Sequence, residues 1–174
     1  FALVILLGSL LLSLPFVQSP TSHAGYFDHL FTAVSMVCVT GLFTLPVAST
    51  YNVWGQLICM FLIQIGGLGL MTFIGIFYIQ GKQKLSLRGR ETILESFSFE
   101  ETQSLRDFLR SIFVTTFLVE GFGAFLLSFR FVPEFGWGRG IFTSIFVAIS
   151  AFCNAGFDNF GSTSLVAFQT DPLI

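Results

Sequence analysis

Residues 31–42, Phe-Thr-Ala-Val-Ser-Met-Val-Cys-Val-Thr-Gly-Leu, return in altered form at residues 146–157. Setting Gly41 on Gly156, 115 residues further on, pairs Phe31 with Phe146, Ala33 with Ala148, Ser35 with Ser150 and Cys38 with Cys153. It also sets Val34 opposite Ile149 and Leu42 opposite Phe157. An internal repeat constrains a fold more than any single motif, because both copies are expected to take one local structure. Each copy is a short apolar helical run that stops at a glycine. In a membrane-like chain, that pattern reads as a re-entrant pore helix followed by a filter lined by backbone.

The surroundings are membrane-like. Of the residues, 53% are hydrophobic and 10% charged, and phenylalanine fills 24 of 174 positions, the balance of an integral membrane protein. A soluble domain of this size needs a charged surface that this chain does not have, and a net charge of -2 offers no basic face for nucleic acid. Cys38, Cys59 and Cys153 lie in apolar runs without C-x-x-C spacing and read as packing residues. Phe1 opens directly into an apolar run, and Asp171-Pro172 has the form of a helix start, so the expectation is of a chain that begins inside one helix and stops at the start of another.

Taken in order, residues 1–80 form a first repeat. Its outer helix covers about 1–16 and ends near Pro15; Asp28 caps a pore helix of about 28–38; a filter follows at 39–42, and an inner helix covers about 54–80. Ten helical residues reach only about 15 Å, so the pore helix can enter a hydrocarbon core of roughly 30 Å but not cross it. Residues 81–110 carry six of the eight basic residues of the chain, which marks them as a cytoplasmic linker and places both filter loops outside. Ser98 and Glu101 form a capping box there, and short amphipathic helices are expected. Residues 111–174 give the second repeat: an outer helix of about 111–129, an external loop with Arg130, Pro133, Gly136 and Trp137, a pore helix of about 140–153, a filter at 154–157, and no inner helix.

The chemistry expected of the glycine segments is cation coordination. A dehydrated cation needs several oxygen ligands, and successive backbone carbonyls supply them if all point inward, a conformation that glycine reaches without steric cost. The carboxyl end of a half-membrane helix adds about half a negative elementary charge aimed at the ion path. The candidate ligands are the carbonyls of Val39, Thr40 and Gly41 and of Asn154, Ala155 and Gly156. Asp158, just beyond the second filter, either concentrates cations or caps a turn. Glu120, in the middle of an apolar span, is a functional candidate by its depth or a brace accepting hydrogen bonds. The glycines of Gln64-Ile65-Gly66-Gly67-Leu68-Gly69 suggest close helix packing or pore lining, not a dinucleotide fingerprint, since no strand precedes them. His23 and His29 lie in or beside an external loop without a ligand cluster, and no nucleophile has a base at a recognisable spacing. The competing reading is a polytopic membrane enzyme or anchoring subunit using Glu120.

Val39-Thr40-Gly41-Leu42, Trp54-Gly55-Gln56, Gln64 to Gly69 with Met71-Thr72, and Ser150 to Asp158 together resemble the Trk/Ktr/HKT superfamily of potassium transporters, most closely the membrane subunit of a bacterial Ktr system. The resemblance implies an all-α integral membrane fold of repeated membrane-pore-membrane units, two of an expected four being present, with the missing half of the polypeptide completing the pore. It implies a homodimer in the plasma membrane, a cytosolic nucleotide-binding regulatory ring, potassium as the ion, and sodium as a coupling ion in some members. It puts Gly41 and Gly156 on the filter glycines of the first two repeats. Sodium-selective relatives often carry serine at the first, so glycine here favours potassium. No enzymatic activity is implied.

Overall fold

The computed structural model describes residues 1–69, 72, 102–161 and 164–171, with the backbone alone at 102–106 and 108. Its regular elements are helices: α1 (Ala2–Leu12), α2 (Tyr26–Val37), α3 (Val47–Thr50), α4 (Val53–Leu68), α5 (Thr102–Phe135) and α6 (Trp137–Phe152). Single 3-10 turns add Pro15–Val17 and Ser164–Phe168. The chain divides into two compact units, Phe1–Gly67 with Glu120–Ile174, and Leu68–Val119.

The core of the first unit is built around the two repeated helices. Ala33, Met36 and Val37 of α2 and Phe146 of α6 share one buried cluster with Leu12 of α1 and with Cys59, Met60, Leu62 and Ile63 of α4. At 12 and 16 residues, α2 and α6 measure about 18 and 24 Å, both shorter than a bilayer core. α1 stops before Pro15, and the chain then runs against the segment leading into α4. Gln18 bridges to Tyr51, the Ser19 amide donates to the Thr50 carbonyl (2.9 Å) and the Asn52 amide to the Val17 carbonyl (3.0 Å).

Several boundaries differ from the sequence expectation, each for a local reason. α2 starts at Tyr26 with Gly25 as its cap; Asp28 sits in the first turn and its carboxylate accepts the Gly25 amide at 2.9 Å. α4 ends at Leu68, before Gly69 with φ +80°, where an inner helix to about 80 was expected; the remainder of that span, apart from helical Thr72, lies outside the described residues. The linker lies outside them as far as residue 101, including its capping box, while Thr102–Arg110 belongs to α5. Where a loop was expected at 130–139, the structure has a single non-helical residue, Gly136. Pro133 falls in the last turn of α5, where it is tolerated, and Gly136 at φ +81° donates to Val132 O (2.9 Å) and accepts from Gly140 N (2.8 Å) as α6 begins. Cys59 and Cys153 are buried as packing residues, whereas Cys38 is exposed.

Among the described residues one helix is long and apolar enough to cross a membrane, Leu109–Phe135, and only 11% of its most apolar window is buried. A soluble core helix would be covered. Phe117, Leu118, Phe122, Phe125 and Phe129 stand exposed on it, as do Leu3, Leu6, Leu7 and Leu10 on α1. That surface suits lipid or further apolar chain.

Glycines let α4 lie directly against both repeated helices. A Cβ on Gly66 would stand 2.6 Å from Val37 O and 2.7 Å from Met36 O, and one on Gly67 would overlap the Cys153 side chain. Small residues at such crossings let backbones approach closely. Gly66→Ala should therefore lower the thermal stability of the full-length gene product in detergent, by the roughly 1–3 kcal/mol of an overpacked core. Gly121→Ala on α5, where nothing lies within 4 Å of the added Cβ, should be neutral or stabilising. Equal melting temperatures for the two variants would contradict this packing.

Candidate ion-coordination site

The two copies of the repeat take one backbone conformation, hydrogen bond for hydrogen bond. In the first, Cys38 N donates to Val34 O (2.8 Å), Val39 N to Met36 O (3.3 Å) and Thr40 N to Ser35 O (2.9 Å). In the second, Cys153 N donates to Ile149 O (2.9 Å), Asn154 N to Ala151 O (3.0 Å) and Ala155 N to Ser150 O (2.8 Å). The paired bonds spanning six and four residues form a Schellman ending, with Val39 and Asn154 as its left-handed residues, both at φ +54°. The helices thus stop four residues before the glycines, not at them. Asparagine tolerates this conformation; for a β-branched valine it is an outlier costing on the order of 1–3 kcal/mol, which the surrounding bonds must hold.

Two residues later, Gly41 (φ +74°) and Gly156 (φ +70°) are left-handed again. The residues that follow are pinned by serines of α2 and α6: Leu42 N donates to Ser35 Oγ (2.8 Å) and Phe157 N to Ser150 Oγ (2.9 Å). The turns also meet each other. A Cβ on Gly41 would lie 2.9 Å from Ala155 O, and one on Gly156 would lie 3.4 Å from the Gly41 Cα. All six residues singled out from the sequence, Val39, Thr40, Gly41, Asn154, Ala155 and Gly156, fall on these two turns.

The accessory candidates are placed elsewhere in the packing. Asp158 closes a local turn, its Oδ1 accepting from Phe160 N at 2.9 Å and its Oδ2 bonded to the Ser164 hydroxyl. Glu120 accepts a hydrogen bond from Gln64 Nε2 at 2.8 Å, with both residues buried, so α5 is joined to α4 at the level of Gly66 and Gly67. Beyond the second turn, Arg130 holds Asp171 at 2.6 Å and Glu134 at 2.5 Å and lies over the Phe168 ring.

Sequence reasoning named Asp28 as a cap and His29 as a residue beside a loop, but missed their partners. His29 is buried, with Nδ1 2.9 Å from the Tyr51 hydroxyl and Nε2 3.2 Å from Gln18 Nε2. Because the Gln18 amide nitrogen donates to Ser13 O as well (2.9 Å), His29 Nε2 is the acceptor and Nδ1 carries the proton. The Gly25 amide, and after it the Thr44 hydroxyl at 2.8 Å, donate to Asp28 and hold its carboxyl below the usual range. No motif marks such pairs, since their partners lie in separate loops.

A helical protein with lipid-suited surfaces and two abutting glycine turns, each at the end of a half-length helix, has the features of a membrane transporter. The chain belongs to the TrkH family, described as cation transport proteins, which matches residues 5–174. It is 44% identical over 171 residues to the potassium/sodium uptake protein NtpJ of Enterococcus hirae, an alignment covering 98% of this chain and 38% of that protein. It is 39% identical to the Ktr system potassium uptake protein B of Bacillus subtilis, over 100% of this chain and 38% of the relative, and 38% identical to the protein of the same name from Vibrio alginolyticus, over 98% and 37%. The chain thus spans less than two fifths of the length of these relatives.

Ser35→Ala and Ser150→Ala should each loosen one turn, by leaving the Leu42 or Phe157 amide without its acceptor at a cost of about 1–3 kcal/mol. Hydrogen exchange of the peptides around residues 38–45 and 153–160 in the full-length gene product should accelerate about tenfold or more, each variant affecting its own turn. Unchanged exchange at both would show that the serines do not hold the strands.

Proposed function

We propose that the two glycine turns are two strands of a cation filter, and that the chain is part of the pore-forming subunit of a potassium uptake system in the plasma membrane. The observation that carries this reading is the abutment of two identically bonded turns through Gly41 and Gly156. No side chain stands between the two strands and Gly41 has no room for one, so backbone oxygens are what such an arrangement can offer an ion. The carbonyls of Val39, Thr40, Gly41, Asn154, Ala155 and Gly156 are the ligands, and the carboxyl ends of α2 and α6 favour a cation there. The names of the relatives, potassium/sodium uptake protein and Ktr system potassium uptake protein, support potassium as the cargo and sodium as a competing or coupled ion.

In this reading the remaining length seen in the relatives supplies the other two filter strands, and the exposed faces of α1 and α5 meet lipid or that chain. The two repeats, 1–80 and 111–174, are then membrane-pore-membrane units with re-entrant helices, their filter loops outside and the basic segment 81–110 inside. Regulation falls to a homodimer carrying a cytosolic nucleotide-binding ring. The word "system" in the Ktr names accords with such an assembly. The enzyme reading loses its main support: Glu120 is occupied by Gln64 and buried, as a brace would be.

The test is potassium uptake, with sodium as competitor, in potassium-starved cells whose only uptake system is the full-length gene product. A serine at position 41 would drive its Cβ against Ala155 O and part the strands. Gly41→Ser should cut the preference for potassium over sodium by roughly tenfold or more, about 1.4 kcal/mol of discrimination, with the protein still in the membrane. Uptake no greater than in empty cells for the wild type, with its partner present, would overturn the reading.

A further inference from the structure

The segment after each glycine turn is tied back to its own half-length helix, to the first turn of α2 and to the middle of α6, by different chemistry in the two copies. In the first, Thr44 Oγ1 donates to Asp28 Oδ1 at 2.8 Å. The positions 115 residues on are Asn159 and Thr143, and Asn159 Nδ2 donates to Thr143 Oγ1 at 3.2 Å. The same nitrogen, with its second hydrogen, also reaches Gln56 Oε1 of α4 at 3.3 Å, across 103 positions of sequence. Asn159 is 7% exposed, three residues beyond Gly156.

The direction of this link is fixed. Gln56 Nε2 donates to Tyr51 O at 3.0 Å, so Gln56 turns its oxygen toward Asn159. An amide facing that oxygen must present nitrogen, and Asn159 Oδ1 accordingly has no partner among the described residues. Tyr51 is itself held by His29 of α2 at 2.9 Å. A chain of directed bonds therefore runs from the first half-length helix, through the start of α4, to the outer end of the second turn.

We infer that Gln56, Asn159 and Thr143 are positioning residues that fix the spacing of the second filter strand from α4, and through it the preference for potassium over sodium. The inference rests on the filter reading above. A carbonyl cage discriminates between cations by the number and placement of its oxygens. A strand released at its outer end is free to close around a smaller ion.

The test uses the full-length gene product in potassium-starved cells, measuring KM for potassium and for sodium together with protein in the membrane. Asn159→Leu and Gln56→Met should each lower the potassium preference about tenfold. The double variant should fall no further, because both remove one link. If Asn159→Leu fails to reach the membrane, Gln56→Met on the partly exposed start of α4 decides by itself. Wild-type preference in the single variants, or losses that add in the double, would overturn the inference alone. A wild type with no preference for potassium would bring down the filter reading and the inference with it.

Discussion

Two polypeptide backbones come together at Gly41 and Gly156 with no side chain between them, and much of the packing around them keeps that contact in place. Chains rarely approach so closely outside a sheet, because bare peptide groups at such a contact must find partners or water. Here the amides on either side of each glycine are bonded: those of Val39, Thr40, Asn154 and Ala155 to the helix ends through the Schellman bonds, and those of Leu42 and Phe157 to Ser35 and Ser150. In the proposed filter, the carbonyl groups of these residues are the polar atoms left to face an ion. The left-handed geometry at Val39, unfavourable for valine by itself, is the local cost of that arrangement.

α4 makes the arrangement a unit and not two independent turns. Gly66 lies on the carbonyls of Met36 and Val37 at the end of α2, and Gly67 lies on Cys153 at the end of α6, so consecutive residues of one helix back the two turns. Gln64, one helical turn earlier, reaches Glu120 of α5, and Gln56 near the other end of α4 reaches Asn159. In an apolar setting van der Waals fit and a few directed bonds are the forces left to hold helices in register, since burial from water contributes little. Glycines for fit and amides for direction are the means available, and both occur along this single helix.

The repeat was legible because it is written in identical or similar residues: Ser35 and Ser150, Cys38 and Cys153, Gly41 and Gly156. It placed both turns and their helices to within a few residues. What was not legible is complementary, not similar. Asp28 with Thr44 and Thr143 with Asn159 serve as the same tie, yet an aligned comparison sees Asp against Thr and Thr against Asn, two mismatches. His29 with Tyr51 and Gln18 has no counterpart at all, as position 144 is a serine bonded to Gly140 O of its own helix. The helix boundaries failed for a different reason. Pro133 and Gly136 looked like loop residues, but a proline in the last turn and a left-handed glycine are also what joins α5 to α6 through one residue.

Equal backbones do not make the two strands mechanically equal. In the first, the Thr40 hydroxyl lies 2.8 Å from Ser35 Oγ, the same oxygen that accepts the Leu42 amide, so side chain and main chain are anchored at one point. The second strand has Ala155 at that position, and Ser150 holds only the Phe157 amide. The second strand is instead secured from outside the repeat, by Gln56 on α4 through Asn159, and its following segment is weighted onto α5 by Arg130, Asp171 and the rings of Phe131, Phe160 and Phe168. The first strand is thus fixed chiefly by its own helix, and the second by its own helix together with its neighbours. Because the two turns touch and Gln56 reaches only the second, a shift of α4 at Gln56 would bear on that strand more directly than on the first, which makes their separation, more than the shape of either, the variable that this architecture has to control.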